Sequence, residues 1–207
     1  KTGPFDTHLE DYEAWFTQFD AVYQSELEAV RYFVPGAAKG IEIGVGSGLF
    51  AAPCGIPEGV EPSATMREKA QERGLKTYDA VAEALPFADH AYDFALMVTT
   101  ICFVDDPLVA LQEAYRILRP GGRLIIGFVD KESPVGQQYL KFKDESVFYK
   151  DAHFYSTSQL LNYLSEAGFS QVDMVQTVFG QLDQIKEVQA FRPGAGKGSF
   201  VVLSARK

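Results

Sequence analysis

The chain has 207 residues, of which 46% are hydrophobic and 23% charged, a composition typical of a globular domain and not of a disordered chain. Its 19 Lys and Arg residues against 28 Asp and Glu residues give a net charge of −9, which disfavours nucleic acid or an anionic membrane as the main partner. At about 100–200 residues per domain, the length predicts one domain.

The N-terminal segment has the periodicity of a helix. Apolar side chains recur every three or four residues from Leu9 to Val34, as they do on one face of an amphipathic helix. Pro35-Gly36 then breaks the pattern. The sequence therefore predicts one or two helices over 9–34.

Short apolar runs then alternate with segments that favour helix. Strands are predicted at 40–44, 58–61, 75–78, 92–99, 123–129, 169–179 and 200–205, and helices at 46–52, 62–73, 106–118 and 156–168. Such alternation indicates an α/β doubly wound sheet of seven strands, mostly parallel. The last two strands have no clear helix between them, which predicts an antiparallel hairpin at one edge.

Nothing in the sequence indicates a metal site, a disulfide framework or a membrane anchor. Cys54 and Cys102 are far apart, and the three histidines are scattered without ligand spacing. The longest apolar run, over 94–104, is about half of the ~20 residues that a membrane span needs, and there is no signal-peptide pattern. We expect a cytoplasmic protein without a resident metal; the sequence does not predict its oligomeric state.

A glycine-rich turn follows the first predicted strand. Glycines at Gly44, Gly46 and Gly48 permit a tight turn and close approach of a ligand to the backbone. The third glycine comes one position too early for the GxGxxG fingerprint of nicotinamide cofactors. Glu61 ends the next strand, where a carboxylate can accept both hydroxyls of a ribose. Glu42 suits a ligand with a positively charged ammonium group.

Several motifs, in this order, resemble those of the class I S-adenosylmethionine-dependent methyltransferases. The likeness is greatest to the small-molecule branch of the ubiquinone/menaquinone-biosynthesis type, which carries a methyltransferase domain 11. It spans residues 39–129 and rests on Glu42-Ile-Gly-Val-Gly-Ser-Gly48, Gly59-Val-Glu-Pro-Ser63, Ala82-Glu-Ala-Leu-Pro-Phe87, Tyr92-Asp-Phe94 and Leu111-Gln-Glu-Ala-Tyr-Arg-Ile-Leu-Arg-Pro-Gly-Gly-Arg123.

The resemblance implies a Rossmann-like fold, S-adenosylmethionine as cofactor and S-adenosylhomocysteine as product. The positions that would surround the cofactor are Glu42, Gly44, Val45, Gly46, Gly48, Glu61, Pro62, Met66, Ala82, Glu83, Thr99 and Thr100. Relatives often carry Gly-Asp before the Ala-Glu pair, where the Asp caps the adenine amino group. This chain has Ala80-Val81 instead, which leaves the backbone or Glu83 for that role.

The methyl acceptor is expected to be a small molecule, bound by the parts added to the shared core. These are an N-terminal helical cap (1–36) and an insertion (131–155), which flank the cofactor-binding core (37–130) and precede a C-terminal helix and hairpin (156–207). Both are rich in aromatic residues, which could hold a cationic amine by cation–π attraction. The candidate acceptor-site residues are Tyr12, Trp15, Tyr139 and His153; the sequence identifies no catalytic residue.

The sequence is also compatible with two other functions. One is a binding module that keeps the cofactor site without turnover. The other is a short-chain dehydrogenase, because Tyr139 and Lys143 have the YxxxK spacing of that family's catalytic pair. Those enzymes also have a serine about 13 residues earlier, where this chain has Ile126, and a different glycine turn.

Overall fold

Eight strands form one mixed sheet in the computed structural model, which describes residues 2–207. The strands are β1 (Gly40–Ile43), β2 (Glu58–Val60), β3 (Lys76–Tyr78), β4 (Tyr92–Val98), β5 (Leu118–Val129), β6 (Ser170–Thr177), β7 (Arg192–Pro193) and β8 (Phe200–Arg206). Their order is β3-β2-β1-β4-β5-β8-β6-β7. The first five pair in parallel, and the last three are antiparallel to their neighbours. This confirms the predicted fold, with β7 as one short strand more than expected.

Seven α-helices accompany the sheet within residues 2–207. They are α1 (Gly3–Thr7), α2 (Leu9–Gln18), α3 (Asp20–Phe33), α4 (Ala64–Glu72), α5 (Pro107–Ile117), α6 (Pro134–Lys141) and α7 (Thr157–Glu166). Side chains cap the ends that the sequence marks: Ser63 Oγ accepts the Met66 N–H of α4 at 3.2 Å, and Ser156 and Gln159 form a capping box on α7. The short helices α1 and α6 were not predicted.

Helices cover both faces of the central strands. On one face α3 packs against β5, β6 and β8, with Val22 and Val30 fully buried. On the other face α5 and α7 pack over an apolar cluster that includes Ile126 and Leu203. Because both faces are covered, β4 and residues 124–129 of β5 are almost continuously apolar, as expected for parallel strands in the middle of a sheet.

The helix predicted over 46–52 is wrong. This segment is a series of turns, in which Ala52 N–H donates to Gly48 O at 3.1 Å and Cys54 N–H to Phe50 O at 3.1 Å. Pro53 has no N–H to continue such a ladder, and Gly48 adopts a positive φ of 90° that a helix does not allow. The crossover from β1 to β2 is therefore irregular.

The segment from β5 to α7 is fastened at both ends by one buried side chain. Asp130 Oδ1 accepts the Glu132 N–H at 2.9 Å, while its Oδ2 accepts the N–H of Thr157 at 3.0 Å and the Thr157 hydroxyl at 2.5 Å. The carboxylate thus joins the start of the segment 131–155 to the start of α7.

Replacing Asp130 by Ala is expected to lower the free energy of unfolding by ~2–3 kcal/mol, because three donors lose a charged acceptor where water enters poorly. Urea denaturation followed by circular dichroism measures this loss. Asp151→Ala is the matched control, since Asp151 is exposed on the same segment. Equal stability of both variants would contradict the fastening role of Asp130.

Candidate active site

A cavity of about 330 Å³ lies at the carboxyl ends of the parallel strands. Open α/β sheets bind ligands in this position, where the chain leaves the strands. Residues just beyond five successive strands border it: Gly44 and Gly46 after β1, Glu61 after β2, Ala80 to Glu83 after β3, Thr99 and Thr100 after β4, and Val129 at the end of β5.

The glycine turn after β1 gives the cavity its floor. Gly44 and Gly46 adopt positive φ values of 72° and 54°. A Cβ on Gly44 would lie 2.3 Å from Thr100 Cγ2, and one on Gly46 would lie 3.3 Å from the Tyr12 hydroxyl oxygen. Both the conformation and the space therefore require glycine, and the turn presents bare backbone to a ligand.

Glu61 joins the two loops beside this turn. Its Oε2 accepts the Gly46 N–H at 2.9 Å, and its Oε1 accepts the Ser63 N–H at 2.9 Å. Burial raises the pKa of Glu61, and the two N–H donors oppose that rise. A carboxylate oxygen has lone pairs beyond those that these bonds use, so the cavity side of Glu61 can still accept hydroxyl donors.

Three positions of the glycine motif support the turn from below and do not border the cavity: Glu42, Val45 and Gly48. Glu42 is buried, and its Oε2 has no hydrogen-bond partner within residues 2–207. Desolvation raises its pKa well above the ordinary value. Val45 fills the space that a Cβ on Gly59 would need, and Gly48 lies against Leu75.

Pro62 and Met66 border the cavity together with residues 80–83. Ala82 is buried, whereas the side chain of Val81 remains 46% exposed. Glu83 Oε1 accepts the Asp105 N–H at 2.6 Å and the Asp106 N–H at 3.3 Å. This carboxylate thus holds the loop between β4 and α5 against the cavity wall.

The end of β4 is strained. Thr99 adopts a φ of +53°, which is rare for a β-branched residue. Its N–H donates to Gly127 O at 2.8 Å, which keeps it in the sheet. The Thr100 hydroxyl bonds Gly44 O at 3.2 Å and Val98 O at 3.1 Å. Strain held by surrounding bonds is common at functional sites, and here it places two neutral hydroxyl residues beside the glycine turn.

Helices α1 and α2 cover part of the cavity. Ser63 Oγ donates to Asp6 Oδ1 at 2.6 Å, so α1 is bonded to the N-terminus of α4. Arg73 forms an ion pair of 2.6 Å with Glu13 of α2. These contacts place Tyr12 over Gly46, and burial raises the pKa of the Tyr12 phenol.

Aromatic rings make up the far side of the cavity. Of the four candidate acceptor-site residues, Tyr12, Trp15 and Tyr139 border it, whereas His153 is exposed and does not. The sequence did not indicate four other rings there, which come from distant segments: Phe5, Phe103, Phe148 and Tyr149. The rings of Tyr139 and Tyr149 are stacked with centroids 4.8 Å apart, and those of Phe5 and Phe103 meet edge to face at 5.2 Å.

Glu26 of α3 is a buried carboxylate in the same wall, and sequence reasoning missed it. It lies one helical turn from Val22 and one from Val30, on the face that packs against the sheet. A charged residue within an apolar stripe is the signal that could have identified it. Burial alone raises the pKa of Glu26 to about 8.

Because the folded pKa of Glu26 exceeds its ordinary value of 4.5, the folded state favours the protonated carboxyl. The side chain therefore costs stability increasingly as the pH rises from about 5 to about 8. Glu26→Gln is expected to be close to the parent in stability near pH 5 and to be more stable by ~4–5 kcal/mol near pH 9.

Urea denaturation of the ligand-free protein at both pH values measures this difference. Glu28→Gln is the same change at an exposed position of α3, and its stability should differ little from the parent's at either pH. A pH-independent difference for Glu26→Gln would show that the carboxyl does not titrate as stated.

Several known proteins are similar to this chain in sequence or in fold. The methyltransferase-domain family model matches residues 41–126. A solved S-adenosylmethionine-dependent methyltransferase from Thermotoga maritima, described as a possible histamine N-methyltransferase, is 48% identical and superimposes with a TM-score of 0.97 over 100% of both chains. An uncharacterized protein of Methanocaldococcus jannaschii is 40% identical over 98% of each chain. A ubiquinone/menaquinone biosynthesis C-methyltransferase of Bradyrhizobium diazoefficiens is 39% identical over 43% of this chain and 36% of its own length.

Proposed function

The chain belongs to the class I S-adenosylmethionine-dependent methyltransferases, and we propose that it methylates the nitrogen of a small amine, with S-adenosylhomocysteine as the second product. Because the chain belongs to this family, we reject the alternative that Tyr139 and Lys143 are the catalytic pair of a short-chain dehydrogenase. The single observation that carries the amine proposal is an aromatic cavity that five acidic residues border and no basic residue does, within residues 2–207.

The residues around the glycine turn fit the cofactor. In the proposed assignment Glu61 accepts the ribose hydroxyls, and Gly44 and Gly46 adjoin the methionine part, where a Cβ would intrude. The adenine would lie among Pro62, Met66, Ala82 and Glu83, while Thr99 and Thr100 would flank the sulfonium. Glu42, Val45 and Gly48 would act by supporting the turn. When bound, S-adenosylmethionine supplies a methyl group already activated on a positively charged sulfur.

The size of the cavity favours a small acceptor. A cavity of about 330 Å³ falls in the size range of small-molecule sites. Helices α1 and α2, which are bonded to Ser63 and Arg73, border it. A concave site of this size suits a small molecule better than a nucleic acid or a folded protein.

The charges of the lining favour a cation. Within residues 2–207 the cavity wall contains no Lys, Arg or His, and five acidic residues border it: Asp11, Glu26, Glu61, Glu83 and Asp105. Aromatic faces attract cations further, because each ring has a negative face. The Thermotoga maritima relative, described as a possible histamine N-methyltransferase, supports the same class of acceptor.

Orientation is the main task of these residues in the proposed reaction. In-line displacement needs the nucleophilic nitrogen held at near-attack distance, and such positioning can contribute ~7–11 kcal/mol. The sulfonium charge disappears as the methyl group leaves, so an anion beside it would favour the ground state over the transition state. Neutral Thr99 and Thr100 at that point, with the carboxylates elsewhere in the wall, agree with this requirement.

The cofactor assignment predicts that Glu61→Gln weakens S-adenosylhomocysteine binding by about ten- to a hundred-fold, since a buried charged acceptor of two hydroxyls is lost. Isothermal titration calorimetry measures the dissociation constant. Glu68→Gln on the exposed side of α4 is the matched control. Unchanged affinity in Glu61→Gln would rule out the assigned ribose contact, provided that both variants fold like the parent.

The amine proposal predicts a charge preference among acceptors of nearly equal shape. Phenethylamine, phenethyl alcohol and phenylacetate differ chiefly in charge, and we expect methylation of the amine only. A coupled assay for S-adenosylhomocysteine release measures turnover. Turnover of the alcohol or the anion with none of the amine would refute the proposal.

A further inference from the structure

Glu26 occupies a position where the fold itself calls for an apolar side chain. Val22 and Val30 precede and follow it by one turn of α3, and both are 0% exposed against the sheet. Glu26 itself is only 7% exposed. A buried carboxylate costs free energy unless a partner compensates it.

No such partner exists for Glu26 within residues 2–207. No hydrogen bond or ion pair of this side chain is present, and desolvation is the only influence on its titration. Glu26 borders the cavity, as do Val98, Val129 and Tyr139. Its carboxyl group, which has no partner in the fold, therefore faces the ligand space.

Glu26 and Glu61 occupy different ends of this space. The charge of Glu61 acts on the phenol of Tyr12, whereas that of Glu26 acts on the phenol of Tyr139. Tyr149 lies between the two regions, because it stacks on Tyr139 and is influenced by both Glu26 and Tyr12. The Glu61 end is accounted for by the cofactor, which leaves the Glu26 end for the acceptor.

We propose that the carboxylate of Glu26 binds the ammonium group of the acceptor and takes up the proton that its nitrogen must lose. This inference rests on the proposed function and adds the residue that would make the enzyme select amines. Tyr139 and Tyr149 would place their rings beside the same cation, and the carboxylate would gain the partner that the fold does not provide.

The proton balance of this role is complete. An ammonium nitrogen has no free electron pair, so one N–H proton first moves to a Glu26 oxygen. The freed pair forms the new N–C bond while the pair of the broken C–S bond stays on sulfur. One N–H bond is thus exchanged for one N–C bond, and the proton on Glu26 returns to solvent after the product leaves. No oxidant or further reactant is required.

The test measures binding as well as turnover. Calorimetry on the S-adenosylhomocysteine complex compares phenethylamine with phenethyl alcohol for the parent, Glu26→Gln, Glu26→Asp and Glu28→Gln. We expect Glu26→Gln to weaken phenethylamine binding by about ten-fold or more, since a charge-assisted hydrogen bond is lost. Its affinities for phenethyl alcohol and for S-adenosylhomocysteine should stay within about two-fold of the parent's.

The other two variants separate charge from shape. Glu26→Asp keeps the charge and should retain most of the preference for the amine, while Glu28→Gln should behave as the parent. In the coupled assay, Glu26→Gln should reduce the rate of phenethylamine methylation by a similar factor, about ten-fold or more.

Each failure has its own signature. If the parent prefers phenethylamine and Glu26→Gln keeps that preference, the role of Glu26 is wrong and the proposed function stands. If the parent binds S-adenosylhomocysteine but prefers the alcohol, the amine function fails and the role of Glu26 fails with it. If Glu26→Gln loses S-adenosylhomocysteine as well, the residue supports the fold of the site and is not specific to the acceptor.

Discussion

The geometry of this site depends on one buried carboxylate that bonds two backbone N–H groups. Through Gly46 and Ser63, Glu61 ties the turn after β1 to the beginning of α4. No helix or strand fixes either loop: residues 44–57 form turns and irregular structure, and residues 61–63 lie between β2 and α4. The same carboxylate thus sets the shape of the crevice and faces its interior. If Glu61 also binds the ribose, as proposed, the structural and ligand-binding demands on position 61 are inseparable.

The cap extends this constraint outward. Asp6 bonds Ser63 and Glu13 pairs with Arg73, so both capping helices are anchored to α4. Arg73 in turn donates to Ser47 O at 2.8 Å, inside the turn region. Helix α4 follows Glu61 directly, and its two ends hold α1 and α2. The contacts of Glu61 therefore also help to position α1 and α2 over the cavity. A single connected set of polar contacts therefore organises the floor, one wall and the roof.

Local rules were enough to predict the sheet, the caps and the glycine turn. Alternating apolar runs identify the strands, and Ser63, Asp106 and Ser156 mark helix starts through bonds that reach only three residues along the chain. The resemblance to a family added cofactor positions, most of which do border the cavity. Where local rules failed, at 46–52, glycine and proline conformation overrode a helical pattern.

The aromatic end of the cavity could not be predicted in the same way, because its residues meet only in three dimensions. Phe148 and Tyr149 come from an irregular segment whose course no periodicity fixes, and His153, in that same segment, turns outward. Glu26 was overlooked for a different reason: a glutamate on an amphipathic helix is normally assigned to the solvent face. Only burial shows that it stands in the apolar stripe.

A carboxylate without a partner in that stripe is hard to explain by folding alone. An apolar residue at the same position would join the cluster of Val22 and Val30 against the sheet without the desolvation cost that raises the pKa of Glu26 to about 8. Proteins retain such costly groups mainly where function requires them. In the proposed function, a cationic acceptor would remove this cost by supplying the missing charge. The stability that Glu26 costs the fold would then become selectivity for a charged acceptor.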